Sequence, residues 1–329
     1  MRVLITGGAG FIGSHLSERY LQDGCEVDVI DDLSTGNIKN LRNCMGKKAF
    51  TFAHDTVLNE SMMYTLIDKC DMVFHLAAAV GVKLIVERPV QTIETNIKGT
   101  EVVLDVARKF GKKVMIASTS EVYGKNTTVP FREDDDRLLG STTFSRWSYA
   151  CSKAIDEFLG LAYFKEYRLP VLLVRLFNTV GERQTGQYGM VIPRFVHAAL
   201  TGSPLHIYGD GQQRRCFAYV QDVLDGIIAL TNSPQSWGNV FNIGSSEEIS
   251  IEQLAQTIIQ KVGSSSPIQY IPYEKVYGQG FDDMVRRKPC LEKIESLVGY
   301  KPHTSLDTIL DRIIEYYRSE VLIEKSDKE

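Results

Sequence analysis

Seven residues near the N-terminus, Gly7-Gly8-Ala9-Gly10-Phe11-Ile12-Gly13, leave this chain few architectures to adopt. Gly7 permits a tight turn, Gly10 lets the backbone come close to a phosphate, and Gly13 lets the following helix pack tightly on its strand. The start of that helix offers free N–H groups and the positive end of a dipole, which together favour an anion. The context agrees, because an apolar stretch at 2–6 precedes the loop and a helical pattern at 11–23 follows it. A second strand-like stretch, 26–30, leads into Asp31-Asp32 about 20 residues past the loop, where a carboxylate can accept both hydroxyls of an adenosine ribose. Gly7, Gly10, Phe11, Ile12, Gly13, Asp31 and Asp32 are therefore candidate dinucleotide contacts. A 2′-phosphate would need a nearby arginine, whereas Ser34-Thr35-Gly36-Asn37 offers none before Lys39 and Arg42, so the pattern favours NAD over NADP.

The rest of the first half repeats the same alternation. Strand-like runs at 50–53, 71–75, 113–118 and 170–175 are separated by helical spacing at 57–69, 92–110 and 147–168. This predicts an α/β chain with a Rossmann-type, doubly wound parallel sheet. After Arg175, glycines and prolines break the pattern into short segments, as expected of a smaller C-terminal α/β lobe. Helical spacing returns at 190–201, 219–232, 250–262 and 305–319, and a further strand near 238–244 is expected to complete the sheet. From Glu324 onward the charged, apolar-poor tail reads as frayed.

Composition excludes several classes of partner. With a formal charge of −4, the chain has no basic field with which to gather nucleic acid or an anionic membrane. No apolar run approaches the roughly 20 residues of a membrane span, and glycines interrupt the N-terminus before a signal-peptide core can form. Six scattered cysteines with no C-x-x-C pair and no clustered histidines argue against disulfides and a metal site, and fit a cytoplasmic protein.

Two segments carry chemistry. Ser118-Thr119-Ser120-Glu121-Val122-Tyr123-Gly124 falls at a strand end, and Tyr149-Ala150-Cys151-Ser152-Lys153 falls early in a helix. Tyr149 and Lys153 stand one turn apart on one face, so the ammonium is expected to lower the phenol's pKa and make it a general base toward a sugar hydroxyl. Thr119, at the strand edge where ligands bind in such sheets, is placed to hydrogen-bond the same hydroxyl.

With these landmarks in order, the chain resembles the extended short-chain dehydrogenase/reductase superfamily, and within it the NAD-dependent nucleotide-sugar epimerases, dehydratases and decarboxylases. The match runs end to end through Gly7 to Gly13, Asp31, His54-Asp55, His75-Leu76-Ala77-Ala78, Asn96, the Ser118 segment, Tyr149 with Lys153, Arg175 to Asn178, and Arg215. The resemblance implies that Thr119, Glu121, Tyr149 and Lys153 are catalytic. It implies that Asp55 lies near adenine, that Leu76, Ala77, Ala78, Asn96, Tyr149 and Lys153 belong to the cofactor site, and that Asn178 and Arg215 hold a nucleotide diphosphate. Ser120 falls on the substrate side, whereas His54 and His75 read as structural histidines. Residues 1–175, completed by the strand near 238–244, are then the NAD-binding domain, and 176–329 mainly the nucleotide-sugar lobe.

The resemblance further implies oxidation at the sugar C4. An acid at Glu121 is similar to dehydratases and decarboxylases and weakens a simple 4-epimerase. Arg146-Trp147-Ser148-Tyr149 and Tyr277-Gly278-Gln279-Gly280-Phe281-Asp282-Asp283, followed by Arg286-Arg287-Lys288-Pro289, look like UDP-glucuronate decarboxylases. There Arg287 or Arg146 would orient the uronate carboxylate, and a UDP-pentose would result. Arg286 and Lys288 read as a solvated basic face. A nucleotide-sugar 4,6-dehydratase, a 4-epimerase and a non-catalytic NAD-binding regulator are the alternatives. Ala79-Val80-Gly81 lacks the cysteine of the apiose-forming branch, which argues against ring contraction. Relatives of this kind commonly form homodimers through the helices near 92–110 and 147–168, and the spacing of Val102, Val103, Val106 and Phe110 permits this, as it permits packing on the sheet.

Overall fold

The computed structural model describes residues 1–81, 88–186, 189–277, 284 and 286–326, with the side chains of Arg146 and 321–326 outside that description. The first six strands are β1 Arg2–Thr6, β2 Glu26–Asp31, β3 Phe50–His54, β4 Met72–His75, β5 Lys113–Thr119 and β6 Val171–Leu176. Between them run α1 Phe11–Gln22, α2 Glu60–Lys69, α3 Pro89–Phe110 and α4 Ser148–Tyr167.

The remaining strands are β7 Thr179–Val180, β8 Leu205–Tyr208, β9 Arg214–Cys216, β10 Ala218–Tyr219, β11 Val240–Ile243, β12 Glu248–Ser250, β13 Ile268–Ile271 and β14 Arg286–Arg287. The later helices are α5 Val191–Thr201, α6 Val220–Thr231, α7 Ile251–Val262, α8 Tyr273–Tyr277, α9 Glu292–Val298 and α10 Leu306–Ser326.

The main sheet has seven strands in the order β11-β6-β5-β4-β1-β2-β3, every pair parallel. Successive residues of its central strands point to opposite faces, and both faces are apolar. Val3, Ile5, Phe74, Met115, Leu172 and Val174 join one buried cluster. Their neighbours Leu4, Val73, Val114, Ile116, Val171 and Leu173 join the other, beneath α2, α3 and α4. A sheet covered on both sides opens to ligand only along its strand ends, which is why the site lies there.

Val103 and Val106 are fully buried in the second cluster, so most of the stripe considered for dimerisation packs on the sheet instead. Phe110 meets Tyr64 of α2 edge-on with ring centroids 5.8 Å apart. Phe110 stays partly exposed, and the other exposed apolar side chains of this helix pair include Val90, Ile155 and Phe158.

In the second lobe, β9 lies between antiparallel β12 and parallel β14, with Arg287 in register with Arg215. The pairs β7 with β10 and β8 with β13 are also parallel. The final helix runs beyond the expected 305–319 and through Glu324, where fraying was expected. Ile309, Leu310, Ile313 and Ile314 bury its first half in the core, and 327–329 fall outside the described residues. Among the described residues, no helix is long and apolar enough to cross a membrane, and no cluster of His, Cys, Asp and Glu is arranged to hold a metal.

Candidate active site

A cleft of about 570 Å³ runs from the glycine loop past the C-terminal ends of β4 and β5 into the second lobe. Gly7, Gly10, Phe11, Ile12 and Gly13 line its beginning. Gly7 has φ +69°, and a Cβ there would lie 2.8 Å from the Ala77 nitrogen. A Cβ on Gly13 would lie 2.4 Å from the Gly7 carbonyl oxygen. These glycines are thus required by the contact between loop, helix and β4, which leaves the helix start facing the cleft.

Asp31 ends β2 with its carboxylate fixed from both sides, since Ala9 N donates to Oδ2 at 2.9 Å and Leu33 N donates to Oδ1 at 2.8 Å. Burial raises its pKa, and those two N–H groups oppose the rise. Each oxygen keeps a lone pair toward the cleft, enough for a pair of ligand hydroxyls. Asp32 and Asp55 also line the cleft, as do Leu76, Ala77 and Ala78. Asp55 accepts from Thr56 N at 2.8 Å and from Asn59 Nδ2 at 2.7 Å.

Asn96 departs from its expected place. It is buried behind the cleft wall, where Oδ1 accepts from Ala79 N at 2.8 Å and Nδ2 donates to Ser152 at 3.2 Å. Its amide serves the loop after β4 and ties it to α4, because a buried backbone N–H needs a partner. His75 is likewise internal, 1% exposed, between the hydroxyls of Thr6 at 2.9 Å and Thr100 at 3.2 Å. Burial, helped by the Lys153 charge, pushes its pKa down to about 3, so it is neutral, in keeping with a structural role.

At the centre, Thr119 closes β5 and its hydroxyl accepts from Glu121 N at 3.2 Å, capping the short turn Ser120–Tyr123. The turn presents Ser120 and Glu121 to the cleft. Tyr149, second residue of α4, comes up beside them and hydrogen-bonds Thr119. Arg287, brought by β14, faces Glu121 with 3.6 Å between Nη2 and Oε1, both side chains nearly buried. Thus segments far apart in sequence meet at one point.

The expected electrostatics are reversed. Burial raises the Tyr149 pKa, Glu121 and Asp156 raise it further, and the Thr119 hydrogen bond and the Arg287 charge oppose them. Lys153 does not line the cleft; its ammonium is held 2.6 Å from Asp156 Oδ2 inside the body of α4. Spacing on the helix placed Lys153 correctly on the Tyr149 face but could not reveal a competing carboxylate one turn later.

A buried polar network under this centre went unread in the sequence. Glu157 takes Arg175 Nε at 2.9 Å and Nη2 at 2.8 Å, and the Ser118 hydroxyl at 2.5 Å. Arg175 also donates to the Tyr123 hydroxyl at 2.8 Å, which donates to Asn242 Oδ1 at 2.7 Å. Asn242 Nδ2 in turn donates to the Phe131 carbonyl, and Phe131 N donates to the Lys288 carbonyl. The end of β5 and the Arg287 strand are in this way braced against the same hub. The available signal was a charged Arg175 closing an otherwise apolar strand, which demands a buried partner.

Asn178 and Arg215 line the far end, where Asn178 Nδ2 donates to the Cys216 carbonyl at 2.8 Å. Arg88, Arg194, Gln213, Tyr208 and Tyr273 line the cleft as well and carry no motif that spacing could flag. Arg286 and Lys288 pair with Glu248 at 2.6 and 3.7 Å, away from the site. The Arg146 side chain and residues 278–283 of the tyrosine-glycine segment lie outside the described residues.

The family model described as GDP-mannose 4,6 dehydratase matches residues 4–313. A UDP-N-acetyl-alpha-D-glucosaminuronate decarboxylase of Bacillus cytotoxicus is 45% identical over 318 residues, 96% of this chain and 98% of that protein. UDP-glucuronic acid decarboxylase 1 of Xenopus tropicalis is 36% identical over 97% of this chain and 73% of its own length. Among solved structures, the UDP-glucuronic acid 4-epimerase of Bacillus cereus in complex with UDP-glucuronic acid and NAD matches with TM-score 0.88 and 28% identity, covering 97% of this chain and 100% of that one.

Proposed function

Since the chain belongs to the GDP-mannose 4,6-dehydratase family of extended short-chain dehydrogenases/reductases, we propose that it is an NAD-dependent decarboxylase of a UDP-linked hexuronate. The observation that carries this reading is the Glu121–Arg287 pair set beside the Thr119–Tyr149 hydrogen bond. It puts a cation able to read a carboxylate next to a base able to take a hydroxyl proton, with an acid between them.

The glycine cradle, which no Cβ could enter, and the Asp31 carboxylate fit NAD. Gly7, Gly10, Phe11, Ile12, Gly13, Asp31 and Asp32 would hold it, with Asp55 and Leu76 to Ala78 along its length. Bound NAD supplies the acceptor for the C4 hydride and returns that hydride at the end of the cycle.

The residues then divide the work. Tyr149, oriented by Thr119, takes the C4 hydroxyl proton as that carbon is oxidised. Arg287 holds the C6 carboxylate by a charge-assisted contact. With the C4 ketone β to the carboxylate, the C5–C6 bond breaks, carbon dioxide leaves, and the electron pair passes to the C4 oxygen, where Thr119 and Tyr149 stabilise it. Glu121 relays a proton from solvent to C5, restoring the C4 ketone, and Tyr149 returns the proton it took to the C4 oxygen on reduction. Asn178 and Arg215 hold the diphosphate, and Ser120 contacts the sugar.

In this scheme residues 1–175 with β11 bind cofactor, and 176–329 mainly bind the nucleotide sugar. A homodimer through α3 and α4 would cover the exposed Ile155 and Phe158, and six free cysteines fit a reducing cytoplasm. The test is incubation with UDP-glucuronate and, separately, UDP-N-acetylglucosaminuronate, without added cofactor, followed by mass spectrometry. Loss of carbon dioxide from either is expected, and the faster of the two identifies the C2 substituent the cleft accepts. Unchanged mass with altered retention would mean a 4-epimerase. No change in either uronate, with loss of water from a neutral nucleotide hexose, would replace the reading by a 4,6-dehydratase.

A further inference from the structure

The scheme above makes no use of the clasp between α1 and the segment that follows β7. Arg183 has φ +68°, a left-handed backbone that glycine adopts freely and an arginine only at a cost. Its side chain is what a glycine would lack: Nη2 donates to both Glu18 oxygens, at 2.7 and 2.8 Å, and Nη1 donates to the Ser14 hydroxyl at 3.3 Å. The Arg183 and Glu18 side chains are 12% and 17% exposed, so solvent screens the pair little. Ser14 and Glu18 stand one turn apart on α1, whose first residues Phe11, Ile12 and Gly13 line the cleft. The residues on either side are held as well. The Glu182 carbonyl accepts from His15 Nε2 at 3.0 Å, and its carboxylate accepts from the Tyr219 hydroxyl at 3.0 Å. Gln184 donates from Nε2 to the Thr179 carbonyl at 2.9 Å, and its own carbonyl accepts from the Tyr317 hydroxyl of α10. A strained backbone persists only where its surroundings over-determine it, as they do here.

We propose that Arg183 is a positioning residue for the nucleotide end of the cleft: by clasping Glu18 it locks the wall 179–185 onto the helix that opens at the glycine loop. Thr179, Val180, Gln184 and Thr185 line the cleft directly after Asn178, the residue assigned above to the diphosphate. Gln184 Oε1 and Thr179 Oγ1 are buried without a hydrogen-bond partner among the described residues, so the wall holds polar atoms that a ligand can complete. A ligand that touches Asn178 and this wall gains from both only while the wall is in place. Its apparent affinity therefore falls in proportion to the time the wall spends elsewhere. The inference rests on the reading that this end of the cleft takes a nucleotide diphosphate.

The experiment uses the full-length protein and UDP as the probe, so its result is separate from whether a uronate is decarboxylated. UDP affinity is measured by calorimetry in saturating NAD, and NADH affinity by its fluorescence, for wild type, Arg183→Gly, Arg183→Lys, Glu18→Ala and the double variant Glu18→Ala/Arg183→Gly. Arg183→Gly tolerates the left-handed backbone and removes the clasp. UDP affinity is expected to fall about tenfold in Arg183→Gly and in Glu18→Ala, as for a wall in place about one-tenth of the time, with NADH affinity kept. Arg183→Lys, which keeps the charge, should recover part of the loss, and the double variant should bind UDP no more weakly than either single one. A lowered urea midpoint with UDP affinity kept, the mark of a merely structural pair, overturns the proposal. So do an equal loss for NADH and additive losses in the double variant. Wild-type protein that bound no UDP would overturn the nucleotide-sugar reading, and the proposal with it. If Glu18→Ala does not fold, Glu18→Gln, which keeps the volume and removes the charge, takes its place under the same criteria.

Discussion

Replacing Arg287 by alanine separates a residue that reads the substrate's carboxylate from one that merely holds the cleft together. The guanidinium stands 3.6 Å from Glu121 with both side chains about one-tenth exposed. At that distance the attraction is about 4–5 kcal/mol for an effective dielectric near 20, most of it offset by desolvation. A substrate carboxylate held by the same group gains about 1.5–3 kcal/mol net from charge-assisted hydrogen bonds, or roughly 10- to 150-fold in affinity. Without Arg287, that carboxylate would instead meet Glu121, charge against charge. Calorimetry of Arg287→Ala should therefore show UDP-hexuronate binding weakened by about two orders of magnitude. Binding of a neutral UDP-hexose should change by less than about threefold, because it brings no charge to the lost site. Turnover should fall too, since Arg287 lowers the Tyr149 pKa and its loss leaves less phenolate at a given pH. Raising the pH should recover part of that loss. Equal weakening for charged and neutral sugars would refute the argument and assign Arg287 to the diphosphate or to the fold.

Two further outcomes follow from the buried groups. Glu157→Ala, which strands Arg175 without its bidentate partner, should cost about 3–5 kcal/mol in urea denaturation. Glu157→Met/Arg175→Met should cost clearly less than the sum of the single changes, and simple additivity would mean the pair is not coupled. His75 has a folded pKa of about 3, below its unfolded value near 6.5, so between these values the unfolded state binds more protons. Stability should therefore fall on acidification from pH 6.5 toward 3, by up to about 1.4 kcal/mol per pH unit from this group. The contribution should vanish in His75→Gln, and an unchanged slope in that variant would show that other groups control the acid transition.

Much of the cofactor half was legible because its signals are local. A glycine that must sit under a neighbouring backbone, and an acid closing the next strand, are properties of a few consecutive residues. The two apolar faces of the parallel sheet likewise follow from the near-continuous apolar runs of its strands, whereas the strand order is a property of the fold. Spacing failed where two groups compete for one side chain. Helical periodicity correctly put Lys153 on the Tyr149 face, but Asp156, also one turn away from it, holds the ammonium. The Val103 and Val106 stripe fitted both a dimer and the sheet, and burial under α3 decided for the sheet. Asn96 matched a family landmark, yet its amide is spent on Ala79 and Ser152.

The sequence by itself determined the parallel sheet, the glycine loop at the mouth of the cleft, the acid that closes β2 and the residues proposed to react, because each depends on residues close in the chain. Only the tertiary structure decided which of those groups meet. Arg287 reaches Glu121 through the register of β14 on β9, a contact between residues far apart in the chain that no local pattern encodes. The electrostatic surroundings of Tyr149 are of the same kind. They depend on burial and on which ion pairs close first, and both are set by packing of the whole chain.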